Sequence, residues 1–362
     1  MDIPTPDKIE VLVFGPGYGE SILIHIGYGE WIVVDSCINP DTRKPAVLEY
    51  LERIGLSLNC VKLIIATHWH DDHIRGLYEI VKKCVNADFF LSQAFSQNEF
   101  LKLMSFYGLE TTIKSTTGIQ ELYNIITFLK SVNKKPKFAS ADRILWERKN
   151  TINSYSCEIR ALSPSDAAIL LSNLDIAKLI PQLKTEKRRL PSLTPNHASV
   201  VLWIRINDNI ILLGSDMENT KEKDTGWNAI LSSNACPSAK AKVFKIPYHG
   251  SSNADNPEVW KRMLDSEPFA VLAPYKNGSI TLPKKCDIQR ICERTTNSYI
   301  TALLKDKKVK TEYKIDKLME GYTKNRRLVH SNFGYIQLQR DILKTYSDWK
   351  VNLSLGASKL CV

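Results

Sequence analysis

Residues 61–73 constrain the fold of this chain more than any other part of its sequence. Val61–Ala66, which reads VKLIIA, is a short apolar run of the kind that forms a buried β-strand. Shortly after it, His68–His73 reads HWHDDH and places four residues of metal-ligand type within six positions. Imidazole and carboxylate groups bind Zn²⁺, Mn²⁺, Fe or Ni²⁺, and carboxylates shift the preference towards Mn²⁺. The segment therefore predicts a metal site on the loop that follows a buried strand.

Strands alternate with helices on both sides of this segment. Runs of β-branched and apolar residues predict strands at 11–14, 21–26 and 31–35, and a second strand-rich part begins near residue 155. This alternation predicts a single α/β domain over residues 1–362. Its predicted parts are a core at about 10–92 and 155–355, a helical insertion at about 95–150 and a basic C-terminal part at 281–362.

The positive charge of the chain is concentrated near its C-terminus. Residues 281–362 carry 17 Lys/Arg against 8 Asp/Glu, a net charge of +9, whereas the first 280 residues have a net charge of +1. Such a region attracts polyanions, of which nucleic acid is the usual one, although a solvated surface explains the charge equally well. Aromatic residues interleave the lysines, and they either stack on bases or occupy the buried faces of strands. They are Tyr299, Tyr313, Tyr322, Tyr335 and Trp349.

The cysteines and the N-terminus predict the compartment. Eight cysteines are scattered without a CxxC pair, and no charged segment followed by an apolar one opens the chain. We therefore expect reduced thiols, mostly buried, and a cytoplasmic location. No apolar run approaches the roughly eighteen residues that a membrane-spanning helix needs, so we expect no membrane partner.

The HxHxDH pattern after an apolar strand resembles the metallo-β-lactamase superfamily. The other motifs of that superfamily follow in the expected order, and the matching residues are Asp35, His197, Asp216 and His249. The resemblance implies a four-layered αβ/βα sandwich with two divalent metal ions, Zn²⁺ or Mn²⁺, at one edge of its sheets. Two such cations about 3.5–4 Å apart can hold a hydroxide and stabilise both the attacking and the leaving oxygen.

The same resemblance assigns a role to each motif residue. The implied ligands are His68, His70 and His197 for one metal, Asp72, His73 and His249 for the other, and Asp216 as a bridge between them. Asp35 and Asp71 would accept hydrogen bonds from ligand imidazoles on the side away from the metal and so fix the orientation of the rings. Asp72 would be needed for hydrolysis as well as for metal binding. His25 and His330 are the two remaining histidines, and we predict structural roles for both.

The flanking sequence resembles one branch in particular, the soluble β-lactamase-like domain of the ComEC/Rec2 competence-protein family. Matching segments are the Gly17–Ser21 turn, where the branch reads GxGDS, and the segments Asn196–Leu202, Gly214–Asp216 and Lys245–Ser251. Two histidines of that branch are replaced here, one by Tyr248 and one within Thr281–Pro283. Lys245, Tyr248 and Ser251 are therefore candidates for contact with the substrate.

These observations predict a metal-dependent phosphodiesterase, and within that class a nuclease acting on DNA or RNA through a hydroxide held by two metals. A phosphodiesterase for cyclic or small nucleotides is the alternative within the same class. A different class stays open as well, namely a non-catalytic nucleic-acid-binding subunit that works with a partner protein in a multi-gene system such as phage defence.

Overall fold

The computed structural model describes residues 3–17, 19–107, 118–150, 155–179, 196–303, 333–343, 348–354 and 356–361. The strands, in chain order, are β1 (Lys8–Pro16), β2 (Ser21–His25), β3 (Trp31–Val34), β4 (Val61–Ala66), β5 (Asp88–Ser92), β6 (Lys137–Ala139), β7 (Arg143–Asn150), β8 (Tyr155–Ala161), β9 (Leu202–Ile206), β10 (Asn209–Leu213), β11 (Ala241–Lys245), β12 (Leu264–Leu272), β13 (Tyr275–Asn277), β14 (Ile280–Leu282), β15 (Ser298–Ile300), β16 (Phe333–Asp341), β17 (Lys350–Leu353) and β18 (Ser358–Lys359). The helices are α1 (Ala46–Arg53), α2 (Asp71–Ile74), α3 (Leu77–Lys83), α4 (Asn98–Tyr107), α5 (Gly118–Ser131), α6 (Asp166–Leu179), α7 (Gly226–Ser232), α8 (Pro257–Met263) and α9 (Lys285–Arg294).

Two eight-stranded sheets form the centre of the molecule. The first has the order β17-β16-β1-β2-β3-β4-β5-β6 and the second the order β18-β15-β12-β11-β10-β9-β8-β7. The inner faces of the two sheets share one apolar core, to which Val13 and Ile65 contribute from the first sheet and Ile204 and Val243 from the second. Because successive side chains of a strand point to opposite faces, the alternate residues pack against helices on the outside.

The outer faces of both sheets are covered by helices. Helices α1, α3, α4 and α5 pack on the first sheet, while α7, α8 and α9 pack on the second. Strand β3 shows the arrangement well, since Val33 contacts the helices and Val34 contacts the opposite sheet. The predicted four-layered α/β sandwich is confirmed.

The segment at 95–150, predicted as a helical insertion, is built into the sandwich. It contains α4 and α5, whose Phe100 and Leu122 are fully buried in the same cluster as the outer residues of the first sheet. It also supplies β6, the last strand of the first sheet, and β7, the last strand of the second. The segment thus closes one edge of both sheets.

The carboxyl ends of several parallel strands meet at one edge of the sandwich. Strands β3, β4 and β5 run parallel in the first sheet, as do β10, β11 and β12 in the second. Loops that leave parallel strands at their carboxyl ends are where α/β proteins place their ligand sites. The HWHDDH segment leaves β4 at this edge.

The aromatic residues of the basic C-terminal part do not form a stacking surface where they are described. Tyr335 and Trp349 are 9% and 4% exposed, and Tyr299 is half-buried against the core between the sheets. Tyr313, Tyr322 and the predicted structural residue His330 lie outside the described residues. For Tyr335 and Trp349 the alternative explanation, burial on strand faces, is the one that the structure supports.

The expectation of eight reduced cysteines is wrong for one pair. Cys292 on α9 and Cys361 near the C-terminus form a disulfide that closes a separation of 69 residues. The other six are free thiols, of which only Cys286 is exposed. Among the described residues no helix combines the length and the apolar character needed to cross a bilayer.

The disulfide leads to a first prediction. Denatured protein should show six reactive thiols before reduction and eight after it. Cys361→Ser should lower the free energy of unfolding by about 2–4 kcal/mol, because the disulfide restricts the unfolded chain over a long loop. Cys286→Ser, which removes an exposed free thiol, is the matched control and should leave stability within about 0.5 kcal/mol. Eight reactive thiols before reduction would contradict the assignment.

Candidate metal centre

Two overlapping groups of ligand-type atoms lie at the edge where the strands end. One group consists of Asp72, His73, Asp216 and His249, and the other of His68, His70 and Asp216. Within each group the ligand atoms all lie within 4.8 Å of one another. Because Asp216 belongs to both groups, the geometry is that of two adjacent cation sites with a carboxylate between them.

The carboxylate of Asp216 faces histidines from both groups. Its Oδ1 lies 3.3 Å from His73 Nε2, and its Oδ2 lies 3.8 Å from His68 Nε2. On the side of the second group, Asp72 Oδ2 is 3.2 Å from His249 Nε2 and 3.8 Å from His73 Nε2. The Nε2 atoms of these three histidines therefore all lie within 4.0 Å of the Asp216 carboxylate.

Asp35 and Thr67 determine which imidazole nitrogen faces the centre. Thr67 donates its hydroxyl proton to Asp35 Oδ2 at 2.7 Å, so its oxygen accepts from His68 Nδ1 at 3.0 Å. His73 Nδ1 donates to the same Asp35 oxygen at 2.8 Å. With Nδ1 protonated in both rings, Nε2 is the nitrogen that faces the centre in each. His68 Nε2 keeps a free electron pair there, and His73 Nε2 provides one when a metal displaces its proton.

The third histidine is oriented by the backbone. His249 Nδ1 donates to the Ala273 carbonyl at 3.0 Å, and since a carbonyl only accepts, Nδ1 must carry the proton. Its Nε2 lies 3.2 Å from Asp72 Oδ2, which can only accept, so this nitrogen is protonated as well and would release its proton when a metal binds.

The buried atoms of the centre fit a bound metal. His68 Nε2, His73 Nε2 and Asp216 Oδ1 are buried and have no hydrogen-bond partner among the described residues. A buried polar atom without a partner costs free energy, and coordination to a cation would satisfy each of these three. The donor set of imidazole nitrogens and carboxylate oxygens suits Zn²⁺ or Mn²⁺.

The electrostatics of the centre also favour positive charge. Burial acts to lower the pKa of His73, but the carboxylates of Asp216 and Asp72 outweigh it and raise this pKa well above its ordinary value. Burial acts to raise the pKa of Asp216, and His73 and His249 nevertheless hold it well below its ordinary value. The carboxylates thus stabilise a cation here, whether an imidazolium or a metal ion.

A buried ion pair behind the centre was not found from the sequence. Glu20 and Lys245 are 2% and 0% exposed and form a close salt bridge. Glu20 Oε1 lies 3.7 Å from His73 Nδ1, and Oε2 lies 3.6 Å from His249 Nδ1. The only local signal was the Gly17–Ser21 turn, in which Glu20 stands where the GxGDS pattern has its Asp.

The same turn packs directly on the metal-binding segment. The Glu20 amide donates to the Asp72 carbonyl at 2.8 Å. Gly19 adopts a φ of +129°, and a Cβ at this position would lie 1.9 Å from the Asp72 carbonyl oxygen. Only glycine allows so close an approach, and this explains the glycine-rich turn before β2.

Several residues of the centre have a left-handed backbone. The φ angles of Asp35, Ser215, Tyr248 and His249 lie between 48° and 58°. For residues other than glycine this conformation costs of order 1–3 kcal/mol each, and such residues cluster at functional sites. The surrounding hydrogen bonds must therefore hold these loops in place.

The three candidates for substrate contact lie in different environments. Lys245 is fully buried, and its Nζ bonds Glu20 and, at 3.0 Å, the Ser215 carbonyl. The structure therefore does not bring its side chain to a position that a substrate could reach. Ser251 is 8% exposed, and its hydroxyl accepts from the Asn253 amide in a turn. Tyr248 is half-buried beside the centre, where burial and the charges of Glu218 and Asp216 raise its pKa to about 12.

Two further predicted residues, His197 and Asp71, belong to neither of the two groups of ligand atoms. His197 is half-buried, and burial lowers its pKa while Asp175 acts against the shift. It belongs to neither group, so its role as a ligand stays a prediction. Asp71 accepts from the Gly118 amide at 2.6 Å and pairs with Arg75 at 3.2 Å, which fixes the start of α5 rather than an imidazole. His25 is fully buried and stacks on Trp31, as a structural residue would.

One aromatic neighbour was also missed by the sequence. Tyr275 on β13 stacks on the ring of His249 with a centroid distance of 5.0 Å and an interplanar angle of 23°. It follows His249 by 26 positions in a short hairpin, and no local pattern links the two.

The relay from His68 through Thr67 to Asp35 gives a second prediction. Thr67→Val keeps the shape of the side chain but removes the hydroxyl that receives the His68 proton. We expect metal affinity to fall about 10–100-fold, as is usual when the residue behind a metal ligand is lost. Competition with a chelating dye would measure this affinity, and Thr42→Val, a change at an exposed threonine whose hydroxyl bonds Glu49, is the matched control. Equal affinity in both variants would show that the relay has no role in binding.

The fold and the site together define a class. The mixed α/β architecture with two large sheets matches the metallo-β-lactamase fold, and the cluster of His and Asp residues lies at the edge of its sheets. The family model of the metallo-beta-lactamase superfamily matches residues 14–89, which include β2–β4 and the HWHDDH segment. No curated protein sequence matches the chain.

Solved structures similar to this chain include metallo-β-lactamases and a protein of the same fold. MEM-A1, a subclass B3 enzyme from a soil metagenome library, is 12% identical with a TM-score of 0.34, over 69% of this chain and 80% of its own. YhfI, a metallo-β-lactamase-fold protein from Bacillus subtilis, is 13% identical with a TM-score of 0.33, over 66% of this chain and 70% of its own. At these identities and scores, the similarities carry no argument about activity.

Proposed function

We propose that this protein is a metal-dependent hydrolase of phosphodiesters, and within that class a nuclease. The observation that carries the proposal is the carboxylate of Asp216 shared between two groups of ligand atoms, because a pair of adjacent cations is suited to displacement at phosphorus. The net charge of +9 in residues 281–362 supports a polyanionic substrate. The finer resemblance to the ComEC/Rec2 competence-protein family stays a prediction and points the same way.

The charge of the centre supports two cations rather than one. With neutral imidazoles, the carboxylates of Glu20, Asp35, Asp72 and Asp216 and the ammonium of Lys245 leave a charge of −3 in a buried region. A single divalent ion leaves this charge partly uncompensated, whereas two give a net charge of +1 that attracts a phosphodiester. His68 and His70 would hold one ion, with His197 as the predicted further ligand. When bound, the ions would supply Lewis acidity and a water of lowered pKa.

The residues of the chain have separate tasks in such a site. Asp35 and Thr67 keep the Nδ1 atoms of His73 and His68 protonated and so hold their rings in one orientation. Tyr248, with its pKa raised to about 12, stays protonated at neutral pH and can donate a hydrogen bond to a phosphate oxygen. It is a donor for substrate rather than a base.

A phosphodiesterase for cyclic or small nucleotides is the second candidate. It is favoured by a cavity of about 580 Å³ that adjoins the centre and is large enough for one small ligand. The non-catalytic subunit proposed as a different class is less well supported, because the buried ligand atoms of both groups face one centre.

The test is cleavage of labelled single-stranded DNA, duplex DNA and RNA with added Mn²⁺ or Zn²⁺. We expect cleavage of at least one polymer, and we expect it to be lost in His68→Ala and in Asp72→Ala. Failure to cleave all three polymers would contradict the nuclease, and hydrolysis of cyclic nucleotides by the same preparation would then support the second candidate. Tight binding of nucleic acid without turnover of any phosphodiester would instead favour the non-catalytic subunit and its partner protein.

A further inference from the structure

A cavity of about 580 Å³ lies next to the metal centre. The loop that follows Asp216 forms one side of it, beginning with Met217 and Glu218. Helix α6 forms the opposite side, and Asn196 and His197 lie between them. Since Met217 is the residue after Asp216 and His197 is the predicted further ligand, the cavity lies beside the centre.

The two sides of the cavity differ in chemistry. The α6 side is apolar and consists of Ala167, Leu170 and Leu171. The loop side carries Glu218, Glu222 and Asp224 against a single lysine, Lys221. This excess of carboxylates repels a phosphate, so the cavity does not suit the reacting group of a phosphodiester. It suits an uncharged group with apolar faces and hydrogen-bond donors.

A buried amide in the cavity wall lacks a partner. Asn196 is 6% exposed, and its Nδ2 donates to Glu218 Oε1 at 2.7 Å. Its Oδ1 is buried and has no hydrogen-bond partner among the described residues. A buried acceptor of this kind costs free energy until a donor reaches it. The Asn196 oxygen and the Glu218 carboxylate beside it can therefore each accept a hydrogen bond from an N–H group of a ligand.

We propose that this cavity binds a nucleobase that carries an exocyclic amino group, which means adenine, cytosine or guanine rather than uracil or thymine. The proposal rests on the proposed function, because it names the part of the phosphodiester substrate that does not react. The flat ring packs on Leu170 and Leu171, and the amino group donates to Asn196 Oδ1 and Glu218. An exocyclic amino group offers two N–H bonds to these two acceptors, whereas uracil and thymine offer a single N3–H between two carbonyls and are disfavoured.

Cytidine and uridine provide a closely matched pair of probes. They differ only at C4, which carries an amino group or a carbonyl, and at N3, which is an acceptor in cytidine and an N–H donor in uridine. Binding of each nucleoside to the full-length protein without added metal is measured by saturation-transfer NMR titration. We expect cytidine to bind about tenfold more tightly than uridine, the factor that one hydrogen bond to a charged or buried acceptor contributes. Asn196→Leu should remove this preference, and a melting curve checks that the variant is folded.

A second pair of variants tests the place of binding. Leu170 lines the cavity and is 61% exposed, so Leu170→Lys can fill the cavity without disturbing the core. Leu174, one turn further along α6, is 52% exposed and does not line it. We expect Leu170→Lys to weaken cytidine binding at least tenfold and Leu174→Lys to leave it unchanged. Equal binding of cytidine and uridine, no binding of either, or normal binding by Leu170→Lys would each overturn the proposal.

The proposed function is tested separately with bis(4-nitrophenyl) phosphate and Mn²⁺, since this phosphodiester has no base. Hydrolysis without a cytidine preference contradicts the base site alone. A cytidine preference without hydrolysis of any phosphodiester contradicts the proposed function and leaves the base site standing. Competition experiments then identify the source of the base. If the natural ligand is a polymer, oligo-dC should displace cytidine far more effectively than CMP does. If the natural ligand is a free nucleotide, oligo-dC should displace cytidine no better than CMP.

Discussion

Asp216→Asn should reduce metal-dependent hydrolysis about 10³-fold or more, because the two proposed cations would provide several kcal/mol of transition-state stabilisation and both would depend on this side chain. Asp216 is the one residue common to both groups of ligand atoms. Its replacement removes a charged ligand from each site at once, whereas a change at His70 or His249 affects one site directly. We therefore expect the metal content to fall from two ions per chain to less than one.

The metal content of purified protein, measured by elemental analysis beside the hydrolysis rate, tests this prediction. Asp208→Asn is the matched control, because Asp208 is an exposed aspartate in the turn between β9 and β10 and undergoes the same change of charge. The control should keep both ions and the full rate. An Asp216→Asn variant that keeps two ions would show that the carboxylate does not bridge them.

Lys245→Met should lower the free energy of unfolding by about 3–5 kcal/mol, the cost of leaving a buried charge without its partner. Lys245 and Glu20 are both almost completely buried and pair closely, so the loss of the ammonium leaves the Glu20 carboxylate buried without its ion-pair partner. The double variant Glu20→Gln/Lys245→Met should recover most of the loss, since replacing a whole buried pair is often close to neutral.

Urea denaturation of the metal-free protein measures these free energies. Lys242→Met is the control, because Lys242 lies on the same strand but is partly exposed in its pair with Asp265, and such pairs contribute only about 0–1 kcal/mol. Glu20→Gln alone should also weaken metal binding about 10–100-fold, because Glu20 lies behind two of the histidine ligands. If the single variant Lys245→Met were as stable as the double variant, the two charges would not be coupled.

The residues that were predictable are those whose chemistry lies in a local pattern. His68, His70, Asp72 and His73 occur within six positions at the end of an apolar run, and that spacing alone indicates a metal site. Asp216 and His249 were predicted because each follows a predicted strand and matches a motif of the metallo-β-lactamase superfamily, which the sequence resembles. The strands themselves were readable because β3 and β4 are continuous apolar runs buried on both faces.

The residues that were missed act through contacts between distant parts of the chain. Glu20 reaches Lys245 across 225 positions, and Cys292 reaches Cys361 across 69. No periodicity links such pairs, because their proximity depends on how the strands are ordered in the two sheets. Lys245 was predicted to be accessible to substrate and is buried, for the same reason. The local sequence around a lysine at the end of an apolar strand does not show that a distant carboxylate will pair with it.

The sequence by itself determined the layered α/β class and the type of site, because hydrophobic periodicity and the spacing of ligands act over a few residues. Only the tertiary structure decided that Asp216 lies between two groups of ligands, that Glu20 and Lys245 form a buried pair behind them, and that a cavity with an unpaired Asn196 oxygen adjoins the centre. The physical reason is that charge, burial and hydrogen bonding are set by whatever surrounds a side chain in space. Here those surroundings come from the ends of strands in two different sheets.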